Sequence, residues 1–497
     1  MAIQNQLYSG SSENRGAFKA TAFNRRVVAR TMSVFVGVSL VVMMSVSHSR
    51  ADEVTDLQRE INALNKRLSK LEHDKAKAKG AGEQYAQGVN PPDKQMMTKA
   101  PGIPFLEGRP VRIIETSGTE LTLYGLLEAT FNAGTNATSD GKSRIGMTIP
   151  WFSGNRWGLY GSTMISPESN LKLIARVESE FELPTGDMDT PGVLFNRDAW
   201  VGFQSDDLGK FTVGRQDTLG RDFSAIWGDV YSKGRVTTDE GNYTNNNNVS
   251  QMIFYSGGGY GASGAGDTRL DNGLVWKKAF SNGVVLGAAY AFSDGNGPGG
   301  PNGSGPIPGA GFGKGSVQSA AIGYNGDGFA LSAFYNHTDV LETPFIDTTT
   351  KGLSHQSAGV GGNYQFGIAR FNLGYVYYTA DQGLVGTRTD NAVTASVKIT
   401  PPGLFDYELG AYRMYVNNAA YAPNGATFRA YQDASQATVA GSGTRTAEFA
   451  SIVYHPVPTI DLYVAGDFLQ TTGGYHAVEA HGHNSMIEGV TGVRWKF

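Results

Sequence analysis

After residue 120 the chain consists of runs of about ten residues in which apolar and polar side chains alternate. Turns rich in glycine, asparagine and aspartate separate these runs. Alternation with a period of two is the pattern of a β-strand whose two faces meet different surroundings. Because a tilted strand of about 9–11 residues is long enough to cross a bilayer, runs of this length predict a transmembrane β-barrel.

Sixteen such runs can be counted, and the connections between them alternate between short and long. The runs lie near 120–133, 155–163, 170–183, 195–205, 209–217, 269–280, 283–294, 316–325, 328–338, 356–366, 368–380, 390–400, 403–416, 444–455, 459–470 and 485–497. Tight periplasmic turns and long outer loops are typical of a single-chain barrel, and an even strand count returns both ends to the periplasm. The predicted fold is therefore all-β: a 16-stranded antiparallel transmembrane β-barrel over residues 120–497, preceded by a short coiled-coil helix.

The alternation also assigns the two faces of each strand. In the first run Leu121, Leu123 and Leu127 face lipid, whereas Tyr124 and Glu128 face the lumen. In the third run the inward side chains are charged: Lys172, Arg176, Glu178 and Glu180. A charge at the lipid midplane costs roughly 2–4 kcal/mol, so these residues predict a water-filled interior. A soluble β-sandwich is the alternative, and sixteen consecutive strands joined as hairpins argue against it.

The first 51 residues have the pattern of a secretory signal peptide. A short apolar stretch, Met32 to Val46, follows Arg25, Arg26 and Arg30 and precedes Ser49-Arg50-Ala51. A basic flank, a short apolar run and a small-x-small ending predict cleavage after Ala51, with a signal anchor as the alternative. The chain has 41 basic and 45 acidic residues, or 35 and 44 without residues 1–51. So acidic a chain is a poor candidate for binding nucleic acid.

Residues 52–79 carry a heptad pattern. The apolar residues Val54, Leu57, Ile61, Leu64, Leu68 and Leu71 follow one another at spacings of three and four. This seam predicts a periplasmic coiled coil that associates with other copies, with a lone amphipathic helix as the alternative. Residues 80–119 are rich in proline and glycine and are predicted to be a linker.

Seven segments resemble the general diffusion porins of β-proteobacteria and their relatives. They are LTLYG (121–125), GNRWGLYGS (154–162), ARVESEF (175–181), FNRDAWVGF (195–203), GKFTVGRQ (209–216), RLDNGLVW (269–276) and GVRWKF (492–497). The resemblance implies a homotrimeric diffusion pore in the outer membrane of a Gram-negative bacterium. It further implies a passage for small hydrophilic solutes and ions, narrowed by a third loop that folds inward.

The same resemblance, taken with the strand alternation, gives candidate pore-lining residues. On the wall they are Arg156, Arg176, Arg197, Arg215, Glu178 and Glu180. The third loop, residues 218–268, offers the acids Asp222, Asp229, Asp239 and Glu240. A basic wall opposite an acidic loop would order water and favour small ionic or dipolar solutes. Alternatively, the arginines only tie the strands and the loop together.

Other functional classes have weaker support. A barrel enzyme needs an acid–base set at its rim, and no catalytic residues are identified. His481 and His483 have a spacing that could hold a metal, but loop histidine pairs are more often solvated, so no metal site and no cofactor are expected. A structural tether acting through the coiled coil is the alternative function.

Overall fold

The computed structural model describes residues 110–116, 118–239, 268–292, 316–339, 354–382, 385–421, 439–477 and 480–497. The predicted signal peptide (1–51), coiled coil (52–79) and most of the predicted linker (80–119) lie outside these ranges and stay predictions. The described residues belong to one unit, Lys99–Phe497. Within them no helix is long and apolar enough to cross a membrane.

Eighteen strands and one ten-residue helix occur in the described ranges. The strands are β1 (Val111–Thr116), β2 (Thr119–Gly134), β3 (Arg144–Thr148), β4 (Asn155–Ser166), β5 (Leu171–Phe181), β6 (Asp198–Ser205), β7 (Gly209–Asp217), β8 (Arg269–Ala279), β9 (Val284–Ala291), β10 (Val317–Asn325), β11 (Phe329–Asp339), β12 (Ser354–Phe366), β13 (Ala369–Asp381), β14 (Thr387–Ile399), β15 (Phe405–Ala420), β16 (Ala440–Val457), β17 (Ile460–Gly473) and β18 (Ser485–Lys496). The helix, α1, is Leu219–Gly228.

The strands form one closed antiparallel sheet. From β4 to β18 each strand pairs with the next in sequence, and β18 pairs with β2. Strands β3 and β4 both pair with the same edge of β2, so they are two pieces of one barrel strand. Counted in this way, and with β1 left out, the described strands make a 16-stranded barrel. The predicted 16-stranded barrel is confirmed, and the strand positions agree closely with the sixteen runs.

The two faces of the sheet have the predicted chemistry. On β2 the side chains of Thr122, Tyr124 and Glu128 are buried, whereas Phe131 is exposed. Large apolar side chains such as Leu373 are exposed all around the outside. An apolar outer band of this extent would be unfavourable in water and suits contact with lipid.

Two strands lie where the sequence predicts none. β1 falls in the last part of the predicted linker, and β3 falls in the predicted first long loop, 134–154. Both are only five or six residues long, so neither shows enough alternation to stand out. Both gain their hydrogen bonds from β2, which extends past the neighbouring barrel strands.

β1 completes one edge of β2. Residues 126–134 of β2 pair with β18, and residues 119–123 pair with β1. Between these two ladders Gly125 and Phe497 exchange backbone hydrogen bonds of 2.8 and 3.0 Å. A Cβ at Gly125 would overlap the Phe497 ring, so glycine is required for this close approach. The seam of the barrel is thus closed along the whole length of β2.

Candidate pore-lining site

The connection between β7 and β8, residues 218–268, is called loop 3 here, and its described part begins with α1. Thr218 caps the helix, because its side chain accepts a hydrogen bond from the Arg221 N–H at 3.1 Å. Asp222 in the first turn is favourable at the positive end of the helix dipole. The apolar side chains of α1, Leu219, Phe223, Ile226 and Trp227, are fully buried.

Helix α1 lies on the inner face of the barrel wall, against strands β9 to β14. The indole Nε1 of Trp227 donates to the inward-facing Ser332 Oγ at 2.9 Å. Its ring stacks on that of Phe334, with 6.5 Å between the centroids and 9° between the planes. Gly361 and Gly374, directly paired across β12 and β13, provide the space for the indole. The first half of the described loop is therefore inside the barrel.

The segment after α1 returns along the same inner wall. Arg370 Nη2 donates to the carbonyl oxygens of Val230 and Ser232 at 2.7 and 2.6 Å. Asn363 Nδ2 donates to the Gly234 carbonyl oxygen at 2.8 Å. Asn325 binds both the N–H and the carbonyl of one loop residue, Val236. Wall side chains thus satisfy backbone groups that a loop inside a barrel would otherwise leave without partners.

Charged residues line the wall from β4 to β8, away from α1. Arg176 pairs with Glu178 at 2.5 Å and with Asp198 at 3.2 Å. Tyr124 joins them: its hydroxyl donates to Glu178 Oε2 at 2.9 Å and accepts from Arg176 Nε at 2.6 Å. Arg197 pairs with both Glu178 and Glu180. The inward positions predicted for these residues agree with the structure.

The remaining two arginines among the predicted pore-lining residues also have partners on the wall. Arg156 donates to Ser153 Oγ at 2.5 Å, and its Nε lies 3.9 Å from Glu178. Arg215 pairs with Asp271 on β8 at 2.5 Å and donates to the Asn196 carbonyl at 2.7 Å. Basic and acidic side chains therefore alternate on this wall.

The described contacts of the loop acids are with other groups. Asp222 pairs with Lys277 of β8 at 2.7 Å, and Lys277 also donates to the Asp239 carbonyl at 3.2 Å. The side chain of Asp229 accepts from the Tyr231 N–H at 2.9 Å. Glu240 lies outside the described residues. The ion pairs of Arg156 and Arg197 in the described residues are with acids of β5, which is the strand-tying interpretation of these arginines.

Sequence reasoning missed several inward charges of this site, among them Asp198, Asp271 and Lys277. The alternation would have given Lys277, which lies two residues after the inward Val275. Asp198 and Asp271 could not be assigned a partner, because the cross-strand register decides which arginine each carboxylate meets.

A second charged network lies on the last five strands, β14 to β18. Asp461 accepts from Arg494 at 2.5 Å, from Lys496 at 3.1 Å and from His455 Nδ1 at 2.7 Å. Lys398 pairs with Asp406 at 3.0 Å. The network joins strands β14 to β18 at the side of the short turns. The sequence analysis did not single it out.

Comparison with known proteins agrees with this architecture. A family described as "Gram-negative porin" matches residues 113–474. An outer membrane porin protein of Bordetella pertussis is 25% identical over 280 residues, covering 52% of this chain. The match spans 64% of that relative, less than two thirds of its length.

Solved structures show the same fold at low sequence identity. The anion-selective porin from Comamonas acidovorans has a TM-score of 0.54 and 17% identity, covering 76% of this chain and all of that one. The trimer form of OmpT from Vibrio cholerae has a TM-score of 0.50 and 15% identity, covering 77% of this chain and all of that one. With a closed 16-stranded barrel, a third loop on its inner wall and a family match over residues 113–474, the chain belongs to the Gram-negative porin family.

Proposed function

We propose that this chain forms a water-filled channel in the outer membrane, through which small hydrophilic solutes and ions diffuse, and that loop 3 narrows the channel. The location follows from the family, whose members are channels and not enzymes. The observation that carries the proposal is the seating of residues 219–236 on the inner face of β9 to β14. Because wall side chains hold the loop there through hydrogen bonds to its backbone, the loop takes up part of the lumen.

The inner face of β4 to β8 carries charged side chains of both signs, most of them buried. There Arg176, Arg197 and Arg215 pair with carboxylates, so the wall has strong local fields. Such a surface favours small dipolar or ionic solutes. The exposed apolar outer band is the surface that lipid and neighbouring copies would cover. A homotrimer is proposed on the resemblance to the family, and the trimer form of OmpT supports it.

Reconstitution in a planar lipid bilayer tests the proposal. The folded protein should give stepwise increases in current, each the opening of one channel. A structural tether or an enzyme would give no such steps. Proteins that insert without conducting would contradict the channel function.

Excision of loop 3 tests the narrowing. The Thr218 N–H donates to the Thr268 carbonyl at 3.0 Å, so the two ends of the loop are adjacent and a short glycine–serine turn can join them. The strand ladder does not depend on the loop, so the barrel should fold. Single-channel conductance should rise roughly two-fold, because a wider passage carries more ions. Unchanged conductance would place the narrowest point elsewhere.

A further inference from the structure

A second segment enters the barrel between β3 and β4. Residues 149–154, called the inner turn here, leave the sheet where residues 127–129 of β2 have no partner on that edge in the described ladder. Side chains of β2 hold the inner turn by accepting hydrogen bonds from its backbone. Glu128 accepts from the Phe152 N–H at 2.9 Å, and Thr130 accepts from the Trp151 N–H at 3.4 Å.

Glycine allows the inner turn to pass close to the charged wall. A Cβ at Gly154 would overlap the Glu180 carboxylate, so no other residue fits this position without moving that group. Next to it, Ser153 Oγ accepts from Arg156 at 2.5 Å. The inner turn is therefore built into the wall at both of its ends.

The aromatic side chains of the inner turn point into the barrel and cover its last strands. Trp151 and Phe152 are 2% and 3% exposed. The Phe152 ring packs edge-on against Tyr463 of β17, with 4.7 Å between centroids. The Arg494 guanidinium of β18 lies 4.5 Å above the same ring. Aromatic contacts of this kind stabilise the packing beyond the burial of apolar area.

Loop 3 and the inner turn meet at Tyr231. Its ring packs edge-on against Phe152 with 4.5 Å between centroids, and its hydroxyl accepts from Trp151 Nε1 at 3.3 Å. The same hydroxyl donates to Ser451 Oγ at 2.9 Å, and Ser451 donates to Glu408 at 2.6 Å. The hydroxyls of Tyr231 and Ser451 each accept one hydrogen bond and donate another. The contact between loop 3 and the inner turn is therefore specific as well as apolar.

Together the two segments cover most of the inner circumference. Helix α1 covers β9 to β14, Tyr231 reaches β15 and β16, and the inner turn covers β17, β18 and β2. The wall from β4 to β8 is reached at its two edges, where Ser153 accepts from Arg156 of β4 and Asp222 pairs with Lys277 of β8. It is the wall with the alternating charges.

We propose that the inner turn is a second element of the constriction, and that Trp151 and Phe152 position loop 3 by holding Tyr231. This inference rests on the proposed channel function. It gives the inner turn a part in narrowing the channel, which would otherwise be attributed to loop 3 alone.

The test is single-channel recording of a double variant, Trp151→Ala with Phe152→Ala. Its conductance should rise roughly 1.5- to 2-fold, and its open-channel noise should increase, because Tyr231 loses both contacts and loop 3 can move. Trp151→Phe keeps the aromatic body and loses only the N–H, so it should retain conductance near that of the wild type. Trp157→Ala is the matched control, since Trp157 lies on the outer face of β4 beside Phe195.

The outcomes separate this inference from the proposed function. Heat-dependent migration on a gel reports whether each variant has a folded barrel, and Tyr231→Ala, which leaves the inner turn intact, gives a second route to the same loss. If the wild type conducts and excision of loop 3 widens it, but neither variant changes conductance or noise, the inner turn has no part in the constriction. If the wild type gives no steps, the channel function itself fails.

Discussion

The indole of Trp227 rests on a floor of two paired glycines. Gly361 and Gly374 lie opposite each other on β12 and β13, and a Cβ on either would overlap the ring. Strand glycines usually weaken a sheet, so their place here is explained by the loop above them.

We expect Gly374→Ala to displace α1 without opening the barrel. Overpacking of a buried contact typically costs about 1–3 kcal/mol, which should loosen loop 3 more than the strand ladder. Limited proteolysis should cut loop 3 faster, while heat-dependent gel migration stays that of a folded barrel. Gly489→Ala is the control, because a Cβ there meets nothing within 4 Å. Equal cleavage of both variants would contradict the assignment.

Neutralising Arg156 and Arg197 together should shift ion preference toward cations. The change leaves Glu178 and Glu180 with fewer compensating charges. The reversal potential in a salt gradient measures the shift. Arg413→Gln with Lys142→Gln removes two positive charges elsewhere, and the reversal potential should then change much less. An equal shift in both variants would mean that only total charge matters.

Glu182, just beyond the end of β5, should make stability depend on pH. Burial, with help from Asp189 and Glu180, raises the pKa of Glu182 to about 6. The folded state therefore holds the proton more tightly than the unfolded state, and this contribution to stability is lost as the pH rises from about 4.5 to 6. Glu182→Gln should raise the thermal midpoint at pH 7 and leave it nearly unchanged at pH 4. A difference independent of pH would contradict the prediction.

At the scale of elements, the strands could be predicted from the sequence, whereas the inner turn could not. The strands have a period of two and are bounded by turn residues, and both signals are local. The inner turn looks in sequence like part of an outer loop, since only the gap in the pairing of β2 takes it inward. Likewise, the family resemblance predicted that loop 3 folds inward, but no local pattern predicted the contact of Asp222 with Lys277. The partner of Asp222 depends on how β8 is aligned with β7, and no local sequence pattern gives that alignment.

Deleting β1 should weaken the barrel without changing its channel. Residues 119–123 of β2 would lose their partner on one edge, while Gly125 and residues 126–134 would keep theirs. The folded form should therefore convert to the unfolded band on a gel at a temperature several degrees lower, with unaltered conductance. Ile113→Ser is the control, because Ile113 lies at the irregularity of the ladder and has no paired residue. A barrel that fails to close would mean that β1 is needed for folding.

For the molecule as a whole, the segment 52–79 is predicted to associate with other copies. Its deletion should lower the temperature at which oligomers separate on a gel, because a coiled coil would add a second contact between protomers. The single-channel conductance should not change, since the lumen is built by residues after 118. If a peptide of residues 52–79 stays monomeric and the deletion leaves oligomers equally stable, the segment serves another partner.

The seam at β2 also decides when the barrel can be finished. β2 is the first barrel strand to be synthesised and β18 the last of those described, yet each supplies the other's partner. A chain interrupted anywhere before β18 keeps the inner and outer faces of every strand it has made, but leaves one long edge of β2 open. Such an edge pairs readily with any exposed strand, including that of a second interrupted chain. Incomplete products therefore expose an open edge at their first barrel strand, which favours aggregation or proteolysis. The pairing of β18 with β2 closes this edge in a single step.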